Sequence, residues 1–254
     1  MLRKVLLCAA TATVCGISAA PSHAQDSQAS WRVVPSAQMT DYPAFAQEFG
    51  FSGRTALECI HDPAGVVRTC EVLSEVPEGL GFGAAAVSVV RRGSVNPPTE
   101  NGVPVGARFT VRIPFNMMGE TPEFRPWQGP EPDAASIALA EQFIAAMGPL
   151  PPMYDPAALE SLTPDRRKIV SGFVEEAFPS QQEMSRIAAR GMARIFPATA
   201  LKSMMEGRSP SEDDIRAINK AGPQVIGGLF DVAAANAEVR SRYCARFHCG
   251  DAPQ

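Results

Sequence analysis

The stretch GRTALECIHDPAGVVRTCEVL, residues 53–73, decides the fold of this chain. Two runs rich in apolar and β-branched residues flank the turn sequence Asp62-Pro63-Ala64-Gly65, and this pattern predicts a β-hairpin. Side chains alternate along a strand, so Cys59 and Cys70 fall on one face, either directly opposite each other or as diagonal neighbours. Either register permits a disulfide between them.

The first 24 residues have the composition of a secretory signal peptide. Arg3 and Lys4 provide the positive start, Val5 to Ala20 the apolar centre, and Ser22-His23-Ala24 a cleavage site, so the mature chain is predicted to begin near Gln25. The alternative is an uncleaved membrane anchor over residues 5–20, although a membrane-spanning helix needs about 20 residues. Residues 25–40 are polar and are predicted to be flexible.

Cysteine content and charge narrow the compartment and the classes of partner. The processed chain keeps Cys59, Cys70, Cys244 and Cys249, and an even number in an exported protein favours disulfides in an oxidising compartment such as the periplasm. Three pairings are possible, and we favour the local one, 59 with 70 and 244 with 249. Removal of the signal peptide takes away Arg3 and Lys4, so the processed chain keeps 21 of the 23 basic residues and all 27 acidic residues. This formal net charge of −6 gives no electrostatic reason to expect nucleic acid or direct membrane association.

The segments around the hairpin predict a small α+β domain over residues 41–118. A short helix with Phe45 and Phe49 on one face precedes the hairpin, and the small-residue run at 84–92 predicts a crossover helix after it. The final run RFTVRIPF alternates apolar and polar residues and predicts a half-buried strand. The right-handed crossover rule places that strand beside the first hairpin strand, at the edge of a three-stranded antiparallel or mixed sheet.

The second half of the chain has a helical pattern. Residues 119–132 hold four prolines and are predicted to be a linker to an all-α domain of about five helices over residues 133–250. The apolar stripes include Ile169, Val170, Phe173, Val174, Ala177 and Phe178, and further on Val225, Ile226, Leu229, Phe230, Ala233 and Ala237. Ser180 with Glu183, and Ser209 with Glu212, predict capping boxes.

Residues 79–84, Gly-Leu-Gly-Phe-Gly-Ala, formally match the dinucleotide-binding fingerprint between a strand and a helix. The preceding strand belongs to a hairpin, however, and Glu78 places an acid beside the supposed phosphate site. We therefore interpret the glycines as a tight entry to a helix.

Few residues suit catalysis or metal binding. His61 lies next to Asp62 and has no nucleophile linked to it in the sequence, which favours a turn residue over a general base. Cys244, His248 and Cys249 could bind a metal, but a terminal disulfide is favoured in this compartment. Met184, Met192, Met204 and Met205 are interpreted as core residues, most of them at helical spacing. We predict no catalytic residues, no metal site and no cofactor.

The last strand of the sheet is the candidate functional site. An exposed edge can accept an added peptide strand through main-chain hydrogen bonds, and the candidate residues are Arg108, Phe109, Thr110, Val111, Arg112 and Ile113. The alternative is an edge that is merely shielded by Arg108, Arg112 and Pro114.

Residues 42–115 resemble the C-terminal domain of the TonB family. The resemblance rests on Tyr42-Pro43-Ala44 with Ala46, Gly53, the Asp62 to Gly65 turn, Glu75-x-Pro77, the helix at 84–92, Pro97 and the strand at 107–115. In that family the domain is non-enzymatic, and its last strand pairs with a short segment of outer-membrane transporters. The resemblance therefore implies a periplasmic domain that binds a protein or peptide, with an outer-membrane TonB-dependent receptor as the implied partner.

Three functional hypotheses follow. The first is a non-catalytic periplasmic protein that recognises a peptide segment of an envelope partner by strand addition. The second is a TonB-type energy transducer that is anchored in the inner membrane through residues 5–20, although only about 17 residues separate Gln25 from Tyr42. The third is a ligand carrier or enzyme with its site in the helical domain, which lies outside the resemblance.

Overall fold

The computed structural model describes residues 30–117, 124, 126–225 and 229–250. The predicted signal peptide, residues 25–29 of the predicted flexible segment, residues 119–123 and 125 of the predicted linker, and Ile226 lie outside the described residues. Residues 30–117 contain the strands and are called the sheet half. The described residues from 126 onward are helical and are called the helical half. This arrangement confirms the predicted α+β class.

The strands are β1 (Trp31–Val33), β2 (Gly53–His61), β3 (Val67–Val76), β4 (Ser94–Val95), β5 (Thr99–Glu100), β6 (Val103–Pro104) and β7 (Ala107–Phe115). The α-helices are α1 (Ala44–Phe49), α2 (Phe82–Val90), α3 (Ala134–Met147), α4 (Pro164–Ala177), α5 (Gln181–Ile195), α6 (Ala198–Met205), α7 (Glu212–Val225) and α8 (Val232–Phe247).

The main sheet is three-stranded and antiparallel, in the order β3-β2-β7. Helix α2 connects β3 to β7 across the sheet, so β7 lies beside β2 at an edge, as the crossover rule predicts. Every second residue of β2, from Gly53 to His61, is buried against the core. The intervening residues lie on the outer face of the sheet.

The hairpin turn adopts the conformation that its sequence predicts. The Gly65 N–H donates to the Asp62 carbonyl at 2.8 Å, and the Asp62 N–H donates to the Val66 carbonyl at 3.0 Å. Gly65 has φ +79°, which glycine adopts without a Cβ penalty. The backbone hydrogen bond from Val66 and the ion pair with Arg68 hold the pKa of Asp62 below its usual range.

Both predicted disulfides are formed. Cys59 lies directly opposite Cys70 in the β2–β3 register, which selects the first of the two predicted arrangements. Cys244 and Cys249 are bonded at the C-terminal end of α8. Their thiolates are therefore not available as metal ligands.

The two halves share one hydrophobic core. Phe45, Phe49 and Phe51 of the sheet half are at most 3% exposed. The ring of Tyr243, on α8, lies 5.9 Å from that of Phe45 and 5.2 Å from that of Phe51. The ring of Phe178, after α4, lies 6.2 Å from that of Phe49. The helical half therefore covers the apolar face of α1.

Hydrogen bonds reinforce this interface. Arg166 on α4 donates to the Glu78 carbonyl at 2.8 Å and to the Tyr243 hydroxyl at 2.6 Å. Arg240 on α8 donates to the Phe49 carbonyl at 2.7 Å. Main-chain carbonyls of the sheet half are thus satisfied by arginines of the helical half.

A second, smaller core lies within the helical half. Ala140 and Ile144 of α3 pack against Ala189 of α5 and Leu201 of α6. The described part of the predicted linker packs on the same helices, because Trp127 lies 5.5 Å from the guanidinium of Arg194 on α5.

The helix caps agree with one prediction and correct another. The Ser180–Glu183 capping box is present at α5. The predicted Ser209–Glu212 box is wrong, because α7 begins at Glu212 and its N-terminus is closed by reciprocal bonds between Ser211 and Asp214. A capping box joins the N-cap residue to the third helical residue, and a helix that starts at Glu212 fixes those positions as 211 and 214.

Candidate functional site

The structure places all six predicted site residues on β7, from Arg108 to Ile113. Within the described residues, β7 pairs with β2 alone. Arg108 and Arg112 are exposed, and Phe109 is buried. The remaining three side chains are partly exposed. In the described part of the chain, the strand therefore has one side bonded to the sheet and one side without a partner strand.

The register shows which main-chain groups face the open side. Directly opposed residues of an antiparallel pair lie about 5.5 Å apart at hydrogen-bonded positions and about 4.5 Å apart at the others, measured between Cα atoms. The Cα atoms of Cys59 and Cys70 are 4.0 Å apart, so this is a non-hydrogen-bonded position. The peptide groups of Cys59 consequently point away from β3, toward Phe109 of β7.

The alternation of the ladder extends this assignment along β7. Backbone N–H and C=O groups bond to β2 at Phe109, Val111 and Ile113. The backbone groups of Arg108, Thr110 and Arg112 point outward. The hydrogen bond from the Asp62 N–H to the Val66 carbonyl agrees with this assignment. Asp62 directly follows β2, and it has the same parity as the β2 residues whose peptide groups point toward β3. Pro114 also agrees, because proline has no N–H and its nitrogen falls on the open side. We call the outward peptide groups of 108, 110, 112 and 114 the free edge.

The other edge of the sheet is less regular. The β2–β3 register shifts between Ala56 and Leu57 and again between Ile60 and His61. The β2–β7 register runs without a shift from Gly53 opposite Phe115 to His61 opposite Ala107. Bulges protect an edge against strand pairing. The β7 edge is therefore better suited to accept a strand than the β3 edge.

Charges on the outer face distinguish the two arginines of β7. Arg108 forms an ion pair with Glu58 of β2 at 2.6 Å. Arg112 lies opposite Ala56, which offers no charge. No ion pair or hydrogen bond of the Arg112 side chain is found among the described residues, which leaves a solvated cation beside the free edge.

Tyr42 holds the C-terminal end of β7. Its hydroxyl donates to the Phe51 carbonyl at 2.6 Å and lies 3.4 Å from the Phe115 carbonyl. Its ring packs edge-on against Phe82 and Phe115. Burial raises the pKa of Tyr42 to about 12, so the hydroxyl stays protonated and able to donate at physiological pH.

The glycine-rich turn is occupied by a side chain of the protein itself. The carboxylate of Glu75, on β3, accepts hydrogen bonds from the N–H groups of Leu80, Gly81, Phe82 and Gly83 at 2.8 to 3.2 Å. These amides are the ones that would hold a phosphate at a helix N-terminus. The structure therefore agrees with a tight helix entry. The acid that the sequence places beside this turn is Glu78, but the carboxylate that makes the contact belongs to Glu75.

The other candidate chemical residues have structural contacts. His61 is 4% exposed, its Nδ1 lies 2.9 Å from the Asp62 carbonyl, and its ring packs against Phe109. Within the described residues, no group of three histidine, cysteine, aspartate or glutamate side chains is placed to hold a metal ion.

A cleft of about 600 Å³ lies between α3 and α5 in the helical half. Its apolar lining is formed by Ile137, Ala177, Phe178, Pro179, Ile187 and Phe230, and its charged lining by Glu141, Glu176, Glu183, Arg186 and Arg190. Glu176 forms an ion pair with Arg242, and Glu183 is engaged in the cap at Ser180. The described lining residues include no serine, cysteine or histidine, so this cleft offers none of these three nucleophile types.

Comparison with known proteins identifies the sheet half. Residues 38–117 match the family described as Gram-negative bacterial TonB protein C-terminal, which is an interaction domain without enzymatic activity. A search of curated proteins gave no match to the chain. Among the described residues, no helix combines the length and apolarity required to cross a bilayer. The match includes the whole range of the predicted resemblance and all three strands of the main sheet, and residues 38–117 are therefore similar to a TonB C-terminal domain, as the sequence predicts.

Proposed function

We propose that this protein is an exported, non-catalytic binding protein of the periplasm, and that its TonB C-terminal domain binds an extended segment of an envelope protein. The segment adds to β7 as a fourth strand of the sheet. The observation that carries the proposal is the free edge, an unbulged row of outward peptide groups on a strand that is paired on one side. A segment of an outer-membrane TonB-dependent receptor is the partner that the family favours.

The free edge offers three N–H donors, from Arg108, Thr110 and Arg112, and four carbonyl acceptors, which include that of Pro114. A net hydrogen bond contributes about 1 kcal/mol, and ordering of an extended peptide consumes part of this free energy. These quantities fit a reversible complex whose specificity comes from side chains. Among the described residues, the hydrogen bonds and ring contacts between the helical half and the sheet half involve α1, Phe51 and the turn before α2, and none involves β7.

A pair of proline variants tests the proposal. Thr110→Pro removes an outward N–H and leaves the bonds to β2 in place, so we expect a folded protein that has lost its partner. Val111→Pro removes an N–H that bonds to β2, and we expect it to disrupt the sheet. The full-length variants are compared for binding to a peptide array that covers envelope proteins of the same bacterium. Circular dichroism reports folding. In a Trp127→Phe background, so does the fluorescence of Trp31, whose ring packs on Phe109.

Hydrogen exchange gives a second readout of the same edge. In the complex, the amides of Arg108, Thr110 and Arg112 are expected to become protected, whereas those of Val111 and Ile113 are already protected in the free protein. Binding that survives in a folded Thr110→Pro variant, with no change in exchange along β7, would exclude strand addition at this edge.

The proposed compartment has its own test. We expect intact-mass measurement of the protein from the bacterial envelope to show a mature chain that begins at Gln25, because residues 1–24 have the composition of a cleaved signal peptide. A mature protein that retains residues 1–24 and fractionates with the inner membrane would instead favour the anchored energy transducer.

A further inference from the structure

We infer that the segment bound at β7 carries an acidic residue opposite Arg112, with apolar residues on both sides of it. This inference rests on the proposed strand addition and assigns the chemistry of the partner. The observations that carry it are the register of β7, the unequal charge environments of its two arginines, and the partly exposed apolar side chains at its rim.

Arg112 is the charged group of β7 that a partner can neutralise. Its peptide groups belong to the free edge, so a strand added in either orientation places one guest residue beside Arg112 on the same face of the sheet, with Cβ atoms about 5 Å apart. On its other side Arg112 faces Ala56, whereas Arg108 faces the Ile60 position and reaches Glu58 at 2.6 Å. An acidic guest residue gains an ion pair at Arg112, and a basic residue is repelled there.

The neighbours of the acidic residue point to the opposite face. Side chains alternate on the guest strand, so the residues before and after the acid lie beside Val111 and Ile113. Both of these side chains are partly buried at the rim of the core, between the buried rings of Phe109 and Phe115. Apolar guest residues extend this core, which gives the pattern apolar, acidic, apolar.

The same register disfavours a second copy of the chain as the occupant. Antiparallel self-pairing centred on Thr110 is the arrangement that uses the outward N–H groups of Arg108, Thr110 and Arg112 in both copies. It places Arg108 of one copy directly opposite Arg112 of the other, twice. Like charges at directly opposed positions are destabilising, so the edge selects an acidic partner over itself.

The test uses the full chain, labelled with nitrogen-15, and three capped seven-residue peptides. Each peptide alternates valine and threonine around a central aspartate, asparagine or lysine. We expect shifts in the amide resonances of Arg108, Thr110 and Arg112, and binding of the aspartate peptide about fivefold tighter than the lysine peptide. In Arg112→Glu the preference is expected to reverse. Arg91→Glu, an equal charge change on an exposed residue at the end of α2, is expected to keep the wild-type order.

The outcomes separate the two proposals. Equal binding of the three peptides at β7, unchanged by Arg112→Glu, overturns the acidic preference and leaves strand addition intact. No shift along β7 with any of the peptides counts against both. A preference that changes equally in Arg112→Glu and Arg91→Glu reflects the net charge of the protein and overturns the assignment to Arg112.

Discussion

Tyr243→Ala is expected to destabilise the sheet half, although Tyr243 lies on the last helix of the helical half. The side chain is fully buried between Phe45 and Phe51, and its hydroxyl donates to the Glu78 carbonyl at 3.1 Å. Truncation of a large buried aromatic residue costs about 3–5 kcal/mol. The variant also removes the hydroxyl that accepts from Arg166. We expect a loss of free energy of unfolding in this range.

The measurement is urea unfolding of full-length protein with Trp127→Phe, which leaves Trp31 as the one tryptophan in the sequence. Trp31 packs on Phe109 of β7, so its fluorescence reports the sheet half. Leu201→Ala is the matched control, because Leu201 is equally buried but belongs to the separate core of the helical half. A Trp31 transition that is unchanged by Tyr243→Ala, or that is shifted as much by Leu201→Ala, would contradict the shared core.

The same packing predicts that residues 30–117 will not form a stable domain when expressed alone. Without the helical half, the apolar face of α1 and Phe51 would be exposed to water, and the Phe49 carbonyl would lose its arginine donor. For this reason the binding experiments above use the full chain. We expect the isolated segment to show the exchange rates of an unfolded chain at α1.

Glu75→Ala is expected to have the second-largest effect. Its carboxylate accepts hydrogen bonds from four N–H groups at the start of α2. An N-cap side chain that accepts only one or two such bonds stabilises a protein by about 1 kcal/mol. These bonds are partly buried, so their loss is expected to lower the free energy of unfolding by about 2–3 kcal/mol. Glu75→Gln keeps one oxygen and is expected to lose less.

Glu78→Ala is the matched control for Glu75. The Glu78 side chain is exposed, and the contacts of this residue with Arg166 and Tyr243 use its carbonyl, so we expect a change below about 0.5 kcal/mol. Urea unfolding gives the free energies, and hydrogen exchange of residues 80–83 locates the effect. Equal stability of the two alanine variants would show that Glu75 does not hold the turn.

The elements that could be predicted from the sequence depend on local patterns. The turn residues and alternation at 53–73 predict the hairpin, and they favour, among three possible pairings, the one that joins Cys59 to Cys70. The crossover rule is sufficient to place Arg108 to Ile113 at an edge, because it leaves only one position beside β2. The six candidate residues therefore came from strand alternation and topology together.

The features that could not be predicted depend on contacts between distant parts of the chain. The spacing of Phe45 and Phe49 predicts one helix face, but that pattern does not indicate that Tyr243 and Phe178 cover it. The role of Glu75 depends on a reversal of the chain at residues 77–79. This reversal brings the Glu75 carboxylate, on β3, to the N-terminus of α2. The difference between Arg108 and Arg112 required the pairing register, because it depends on which β2 residue lies beside each.

The position of the Cys59–Cys70 disulfide affects how the sheet would respond to a mechanical load. A partner pulled along the axis of β7 would load the β7–β2 ladder in shear, so that its hydrogen bonds share the force instead of breaking one after another. From Cys59, opposite Phe109, the load would pass to β3 through a covalent bond. The hairpin could then not yield by sliding of β3 against β2.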